Sequence, residues 1–121
     1  MMARDFRRLD VWKRSFELVR MVYDVVERFP KYEDYGLSSQ LRRAVVSISS
    51  NIAEGCGRKT NKDFANFLHM SMGSIREVEC QLMIADDLGY LGEGEFGRLL
   101  EKLNEIGGML SRFIDYILRE G

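Results

Sequence analysis

The sequence predicts an all-α protein, an up-down-up-down antiparallel four-helix bundle. Three observations carry that reading. Four stretches of twenty or so residues repeat apolar side chains at three- and four-residue intervals, the period of a helix that buries one side. The one proline, Pro30, and the glycine-bearing segments 55–57 and 89–94 fall between these stretches. The connections are short, which places successive helices side by side and antiparallel. With 121 residues, 45% of them hydrophobic, the chain reads as one domain over 1–121. A chain of this length buries roughly two thirds of its unfolded surface and can hold a core.

The chain opens with a short polar arm, residues 1–9, that carries Arg4, Arg7 and Arg8. Asp10 is the expected N-cap of the first helix, which runs to about Phe29. Two apolar stripes lie side by side on it. One is Trp12, Phe16, Val19, Tyr23 and Val26, and the other is Val11, Leu18, Val22, Val25 and Phe29. Together they make an apolar surface wider than a two-helix seam requires. Pro30 ends the helix, because it has no N–H to donate and disfavours helical backbone at Phe29.

Residues 30–37 form the only substantial loop, and Tyr32 and Tyr35 are expected to fold back over the bundle end. Ser38 or Ser39 is the expected cap of the second helix, whose stripe is Leu41, Val45, Ile48 and Ile52. The small residues Ala44, Ser47, Ser50 and Ala53 on this helix would let a neighbour come close. The organising corner is Ser47 to Phe64, where Gly55 and Gly57 tolerate the positive φ of a helix C-terminus. Arg58 and Lys59 favour the adjacent helix dipole, and Asn61 is the expected cap of the third helix.

That helix runs from about Lys62 to Leu88, with Phe64, Phe67 or Leu68, Ser71, Ile75, Val78, Leu82 and Ala85 facing inward. Gly73 and Ser74 suggest another close approach, and Gly89 is a good stop. The fourth helix runs from about Glu93 to Arg119, with Phe96, Leu99, Leu103, Ile106, Leu110, Phe113 and Ile117 at coiled-coil-like spacing. Gly107 and Gly108 interrupt it, which close packing would explain.

Catalytic and metal chemistry find little support. His69 is the only histidine, and Asn66 rather than glutamate stands three residues before it, which excludes a paired Glu-x-x-His di-iron site. G-C-G-R-K-T has the wrong spacing for a phosphate loop, with no strand before it. The expectation is no enzyme, no cofactor and no metal. Cys56 at the corner and Cys80, about 30 Å along the third helix, are too far apart for a disulfide and read as partly buried free thiols. No apolar run approaches the ~18 residues of a membrane span, and the N-terminus has no secretory pattern, so a cytoplasmic protein is expected.

Polar residues near the apolar faces form a candidate structural network. An antiparallel turn about residue 59 puts Arg42 or Arg43 near Glu77 or Glu79 as ion-pair partners. The same register sets Asn51 near Phe67 and Glu54 near Phe64, where they either fix helix register or line a polar site at the corner.

Three segments together resemble the four-helix-bundle proteins encoded in intervening sequences of bacterial 23S ribosomal RNA genes. They are D-F-R-R-L-D-V-W-K-R-S, Y-G-L-S-S-Q-L-R-R-A-V-V-S-I-S-S-N-I-A-E-G-C-G-R, and F-L-H-M-S-M-G-S-I-R-E-V-E-C-Q-L followed by D-L-G-Y-L. Ser50–Gly55, S-N-I-A-E-G, is the most specific part. Ser49 stands where family members often have proline, so the second helix should be more regular here. The resemblance implies a homopentamer with a central channel. Related proteins include the accessory variability proteins of diversity-generating retroelements, which bind nucleic acid and a reverse transcriptase and are strongly basic. This chain departs from them with a pI near 5.9.

The net charge of −1 is unevenly distributed. Residues 1–60 hold 12 Lys and Arg against 8 Asp and Glu, and residues 61–121 hold 6 against 11. Two functions follow. In the first, assembly multiplies a weak basic patch of Arg4, Arg7, Arg8, Lys13, Arg14, Arg58, Lys59 and Lys62 into a surface for RNA or another nucleic acid, through phosphate contacts. In the second, a self-assembling scaffold or adaptor binds a protein partner and no nucleic acid, and the charge asymmetry joins neighbouring copies. The resemblance favours the first. The discriminator is whether Arg7, Arg8, Arg14, Arg58 and Lys59 form one continuous face of the assembly, unbroken by Glu and Asp side chains.

Overall fold

The computed structural model describes residues 4–120. It contains α1 (Asp10–Val26), α2 (Leu37–Cys56), α3 (Asn61–Asp87) and α4 (Glu95–Glu120), with short 3-10 turns at Phe6–Arg8 and Lys31–Glu33. Each helix packs against two neighbours in the cyclic order α1, α2, α3, α4, and the diagonal pairs do not meet. This is the expected four-helix bundle. The α2–α3 hairpin is its most extensive contact.

The core follows the predicted stripes closely. Leu18, Val22, Leu41, Val45, Ile48 and Ile52 from α1 and α2 are fully buried. Phe64, Leu68, Val78 and Leu82 meet them from α3, and Leu103, Ile106, Leu110 and Ile117 from α4. Leu68, not Phe67, is the buried member of its pair, and Ile114 joins the α4 stripe while Phe96 and Phe113 are only half-buried. The main departure is on α1. Of its two stripes, the one through Leu18 and Val22 faces the core, whereas Phe16 is 60% exposed and Tyr23 42% exposed.

The helix ends differ in detail from expectation. Leu9, not Asp10, is the cap residue of α1, and α1 ends at Val26 with Phe29 buried in the turn beyond it. Gly36 precedes α2, and the first N–H is satisfied by Glu33, whose Oε1 accepts from the Leu37 amide at 3.1 Å, so neither Ser38 nor Ser39 caps. Thr60, in extended conformation, caps α3 by accepting from the Asp63 amide at 3.1 Å. After α3 the Tyr90 amide donates to Ala85 O and the Gly89 amide to Asp86 O, with Gly89 at φ +81°. This is the paired-bond helix ending that requires a residue with positive φ.

The α2–α3 hairpin is laced by hydroxyls. Ser47 Oγ lies 2.5 Å from Ser74 Oγ, and Ser71 Oγ donates to Ile48 O at 2.8 Å. On the other side of α2, Ser15 Oγ and Ser49 Oγ meet at 2.9 Å. These contacts set the hairpin one to three residues further along α3 than a turn about residue 59 implies. α2 continues without interruption through Ser49, as the serine at that position predicts.

The glycines within the helices are not equivalent. A Cβ on Gly55 would lie 2.8 Å from Phe64 Cδ1 and 2.9 Å from Phe67 Cβ, so Gly55 permits the corner's close packing rather than a positive φ. Gly107 and Gly73 have nothing within 4 Å of such an atom, so neither is a close contact within the bundle. Gly107→Ala is therefore expected to stabilise the monomeric fold by about 0.5–1 kcal/mol, because alanine loses less backbone entropy on folding. Urea unfolding should show a raised midpoint with an unchanged slope.

Candidate interaction surfaces

Within one chain, several members of the predicted basic set stand beside acids or are partly buried. Arg4 is half-buried, donates from Nη2 to Asn61 Oδ1 at 3.2 Å, and lies 4.8 Å over the Phe64 ring. Asn61 Nδ2 in turn donates to Ile117 O at 3.3 Å, so Arg4 ties the arm to α3 and α4. Arg7 is paired with Asp5 at 2.9 Å, Arg14 with Glu105 at 3.5 Å, and Arg58 with Glu54 at 3.6 Å. Arg58 also lies 4.3 Å over the Phe67 ring. Beside Arg7, through its hydrogen bond first, the Asp5 carboxyl titrates below its usual range. Arg8, Lys13, Lys59 and Lys62 are exposed and form no ion pair among the described residues.

The expected pairing of Arg42 or Arg43 with Glu77 or Glu79 is not formed. Glu79 accepts from Arg76 at 2.8 Å, three residues away on the same helix, and Arg42 reaches Asp34 O at 3.5 Å. The local i,i+3 partner is closer than any arginine across the hairpin. Asn51 Nδ2 donates to Ser47 O at 2.9 Å, and Glu54 is exposed and paired with Arg58. Both are satisfied within the chain, which removes the polar site considered at the corner.

At the opposite end of the bundle, Tyr90 OH donates to Glu33 Oε2 at 2.8 Å and meets Tyr32 OH at 3.1 Å. Hydrogen bonding to Tyr32, then burial and the Glu33 carboxylate, raise the Tyr90 phenol above its ordinary range. Tyr35, in contrast, is fully exposed and does not fold back over the bundle. Arg28 bonds Glu95 and, with the Gly92 amide, holds that carboxyl below its usual range. Cys56 is buried, and desolvation pushes its thiol up to about 11, whereas Cys80 is exposed rather than partly buried. Among the described residues no cluster of His, Cys, Asp or Glu could hold a metal ion. Among them, too, no helix is long and apolar enough to cross a membrane.

A trough runs between α1 and α2. Its apolar part, about 340 Å³, is lined by Phe6, Trp12, Phe16, Val19, Val46 and Ala53, together with Ser49 and Ser50. Trp12 stacks on Phe16 at 4.9 Å between ring centres, and Phe6 meets Trp12 edge-on at 5.1 Å. The trough continues into a part of about 440 Å³ lined by Tyr23, Ser39, Arg42, Arg43, Val46, Ser47 and Ser50. Apolar and cationic ends therefore share one channel. The doubled stripe on α1 carried the signal for it in the sequence. On α2 the small residues Ser47, Ser50 and Ala53 were singled out in the sequence, whereas the part played by Val46 was not legible there.

Comparisons with known proteins agree with this architecture. A protein of unknown function from the S23 ribosomal protein family of Bacteroides thetaiotaomicron VPI-5482, known from a crystal structure, superposes with a TM-score of 0.79 at 22% sequence identity. The match covers 86% of this chain and 97% of that one, and at this identity it speaks to the fold. No curated protein matches the sequence. Residues 7–112 match the family described as 23S rRNA-intervening sequence protein. The span takes in all of α1, α2 and α3 and most of α4, and the chain belongs to the 23S rRNA-intervening sequence protein family.

Proposed function

We propose that this protein is a non-catalytic, self-assembling scaffold whose copies join through the α1–α2 trough. The observation that carries the reading is the exposure of Phe16, 60%, at the centre of a trough also lined by Trp12, Val19 and Val46. Exposed apolar side chains gathered in a trough rimmed by polar residues are the kind of surface that interaction sites use. The family resemblance makes the expected assembly a pentamer, five copies of the 14.1 kDa chain, or about 70 kDa. Light scattering on the purified protein tests it. Phe16→Glu is expected to reduce the particle to one chain while helicity is kept, since this side chain contributes little to the core. A monomeric wild type would refute the proposal.

A second reading, RNA binding, has one observation in its favour. Arg8, Lys13, Lys59 and Lys62 remain exposed without acidic partners among the described residues, and an oligomer would present several copies of each. Against it, Arg7, Arg14 and Arg58 each stand beside a carboxylate that lowers the local positive potential. Fluorescence anisotropy with a structured 23S rRNA fragment separates the readings. A scaffold gives no binding at low salt. Phosphate contact gives micromolar or tighter binding that falls steeply between about 50 and 200 mM salt.

A further inference from the structure

We infer that residues 4–9 form a strap across the corner end of the bundle, which closes one end of the α1–α2 trough, covers Cys56, and lifts while the four helices stay folded. The inference goes beyond the assembly reading and does not depend on it.

The strap links the helices that meet at this end. Its Phe6–Arg8 turn packs against α1 and α2, and Phe6 lines the trough edge-on to Trp12 at 5.1 Å. Arg4 Nη2 donates to Asn61 Oδ1 of α3 at 3.2 Å, and Asn61 carries the link on to Ile117 O of α4. Cys56 is the last residue of α2, so no further turn of its own helix shields it, yet it is only 2% exposed. The charges that act on its thiol come from Arg4 and Asp5, which places the strap beside it.

The strap is held lightly. None of Phe6, Arg7 and Arg8 is buried. Arg7 pairs with Asp5 inside the strap, so that ion pair fastens nothing to the bundle. Arg4 Nη1 is buried without an acceptor among the described residues, a cost that lifting removes because water then reaches it. What remains is the Arg4–Asn61 bond, the Arg4 contact over the Phe64 ring, and the half-buried Phe6 and Leu9. A segment with so few buried contacts opens locally more often than the whole fold unfolds. Lifting it leaves the trough open at its Trp12 end, so the strap sets how far toward the corner an occupant can reach.

Labelling with N-ethylmaleimide, read by mass spectrometry at each cysteine peptide, tests the strap. Cys80 is exposed and serves as the internal standard. In the wild type Cys80 should react at once and Cys56 slowly, at a rate that hardly changes in dilute urea, since local opening exposes little surface. Phe6→Ala should speed Cys56 about tenfold and leave Cys80 unchanged, because the aromatic contact and part of the ring's burial are lost. Phe6→Leu should restore most of the protection. Arg4→Ala separates opening from electrostatics by sign. The Arg4 charge favours the Cys56 thiolate, so its loss alone would slow labelling, whereas a lifted strap speeds it. Circular dichroism of all three variants should match the wild type. A Cys56 rate unchanged in Phe6→Ala, slowed in Arg4→Ala, or rising with urea as steeply as global unfolding would overturn the strap. Protection that vanishes on dilution would assign the cover to a neighbouring copy, which overturns the strap and leaves the assembly reading in place. Strap-dependent protection in a monomeric wild type would do the reverse.

Discussion

Phe64→Ala is expected to lower the stability of the fold by about 4 kcal/mol, within the usual range for deleting a fully buried aromatic ring. Phe64 lies at the start of α3, where three parts of the molecule meet. Its ring stands edge-on to Phe113 of α4 at 5.5 Å between centres. It closes against the Gly55 backbone of α2, and the Arg4 guanidinium of the arm lies over its face. Truncation therefore opens a cavity bordered by all three. It also leaves Arg4, already half-buried, without its aromatic support. For a domain of this size the thermal midpoint should fall by about 15 °C. Denaturant unfolding at one fixed protein concentration measures the loss, since any association of native chains would make stability concentration-dependent. A cost under about 1.5 kcal/mol would mean that the corner can repack around the missing ring.

Gly55→Val is expected to cost about 3 kcal/mol by the opposite mechanism. A Cβ at this position strikes Phe64 Cδ1 at 2.8 Å and Phe67 Cβ at 2.9 Å. The Phe64 ring could turn away, but Phe67 Cβ is attached directly to the α3 backbone and cannot. α2 and α3 would have to move apart at the corner, about 10 Å along the hairpin from the hydroxyl bonds, Ser71 to Ile48 and Ser47 to Ser74, that hold them in register. Overpacking of this kind costs typically about 1–3 kcal/mol, with valine's γ-methyls at the upper end. In Gly55→Ala the better helix propensity of alanine offsets up to about 1 kcal/mol of the clash. The two sites should couple. Gly55→Ala combined with Phe64→Leu should cost less than the sum of the single changes, because the ring atoms it strikes are gone. Strict additivity, or a neutral Gly55→Ala, would show that the hairpin corner is loose.

These corner effects separate what could be read along the chain from what could not. Helix existence and order were legible because apolar spacing is a local property, and Leu41, Val45, Ile48 and Ile52 are buried as their spacing predicts. Caps were less legible. Thr60 and Asn61 are both competent capping residues, and the choice falls to Thr60 because its backbone is the extended one, at φ −117° and ψ 152°. Ion pairs were read poorly for a related reason. Glu79 had candidate arginines across the hairpin, yet Arg76 on its own helix lies within 2.8 Å. The same sequence spacing cannot say which partner is nearer once helices have rotated against each other.

The candidate surface was half legible. Two stripes on α1 announced more apolar area than one seam needs, but either could have been the buried one. The choice falls to the Leu18–Val22 stripe because α1 packs between α2 and α4. That leaves Phe16 and Tyr23 outside, beside α2 residues they never approach in sequence. The basic set fared similarly. Charge counts showed an excess of cations in the first half, but Glu105 of α4 lies beside Arg14 only because the bundle closes.

By itself, then, the sequence determined the number of helices, their approximate limits and most of the core, since each depends on periodicity within one segment. Only the tertiary structure decided which apolar stripe faces outward, which cations keep their charge unopposed, and which glycine is indispensable. Each of these depends on distances between segments, and those distances are set by how four helices rotate to bury the most apolar surface at once.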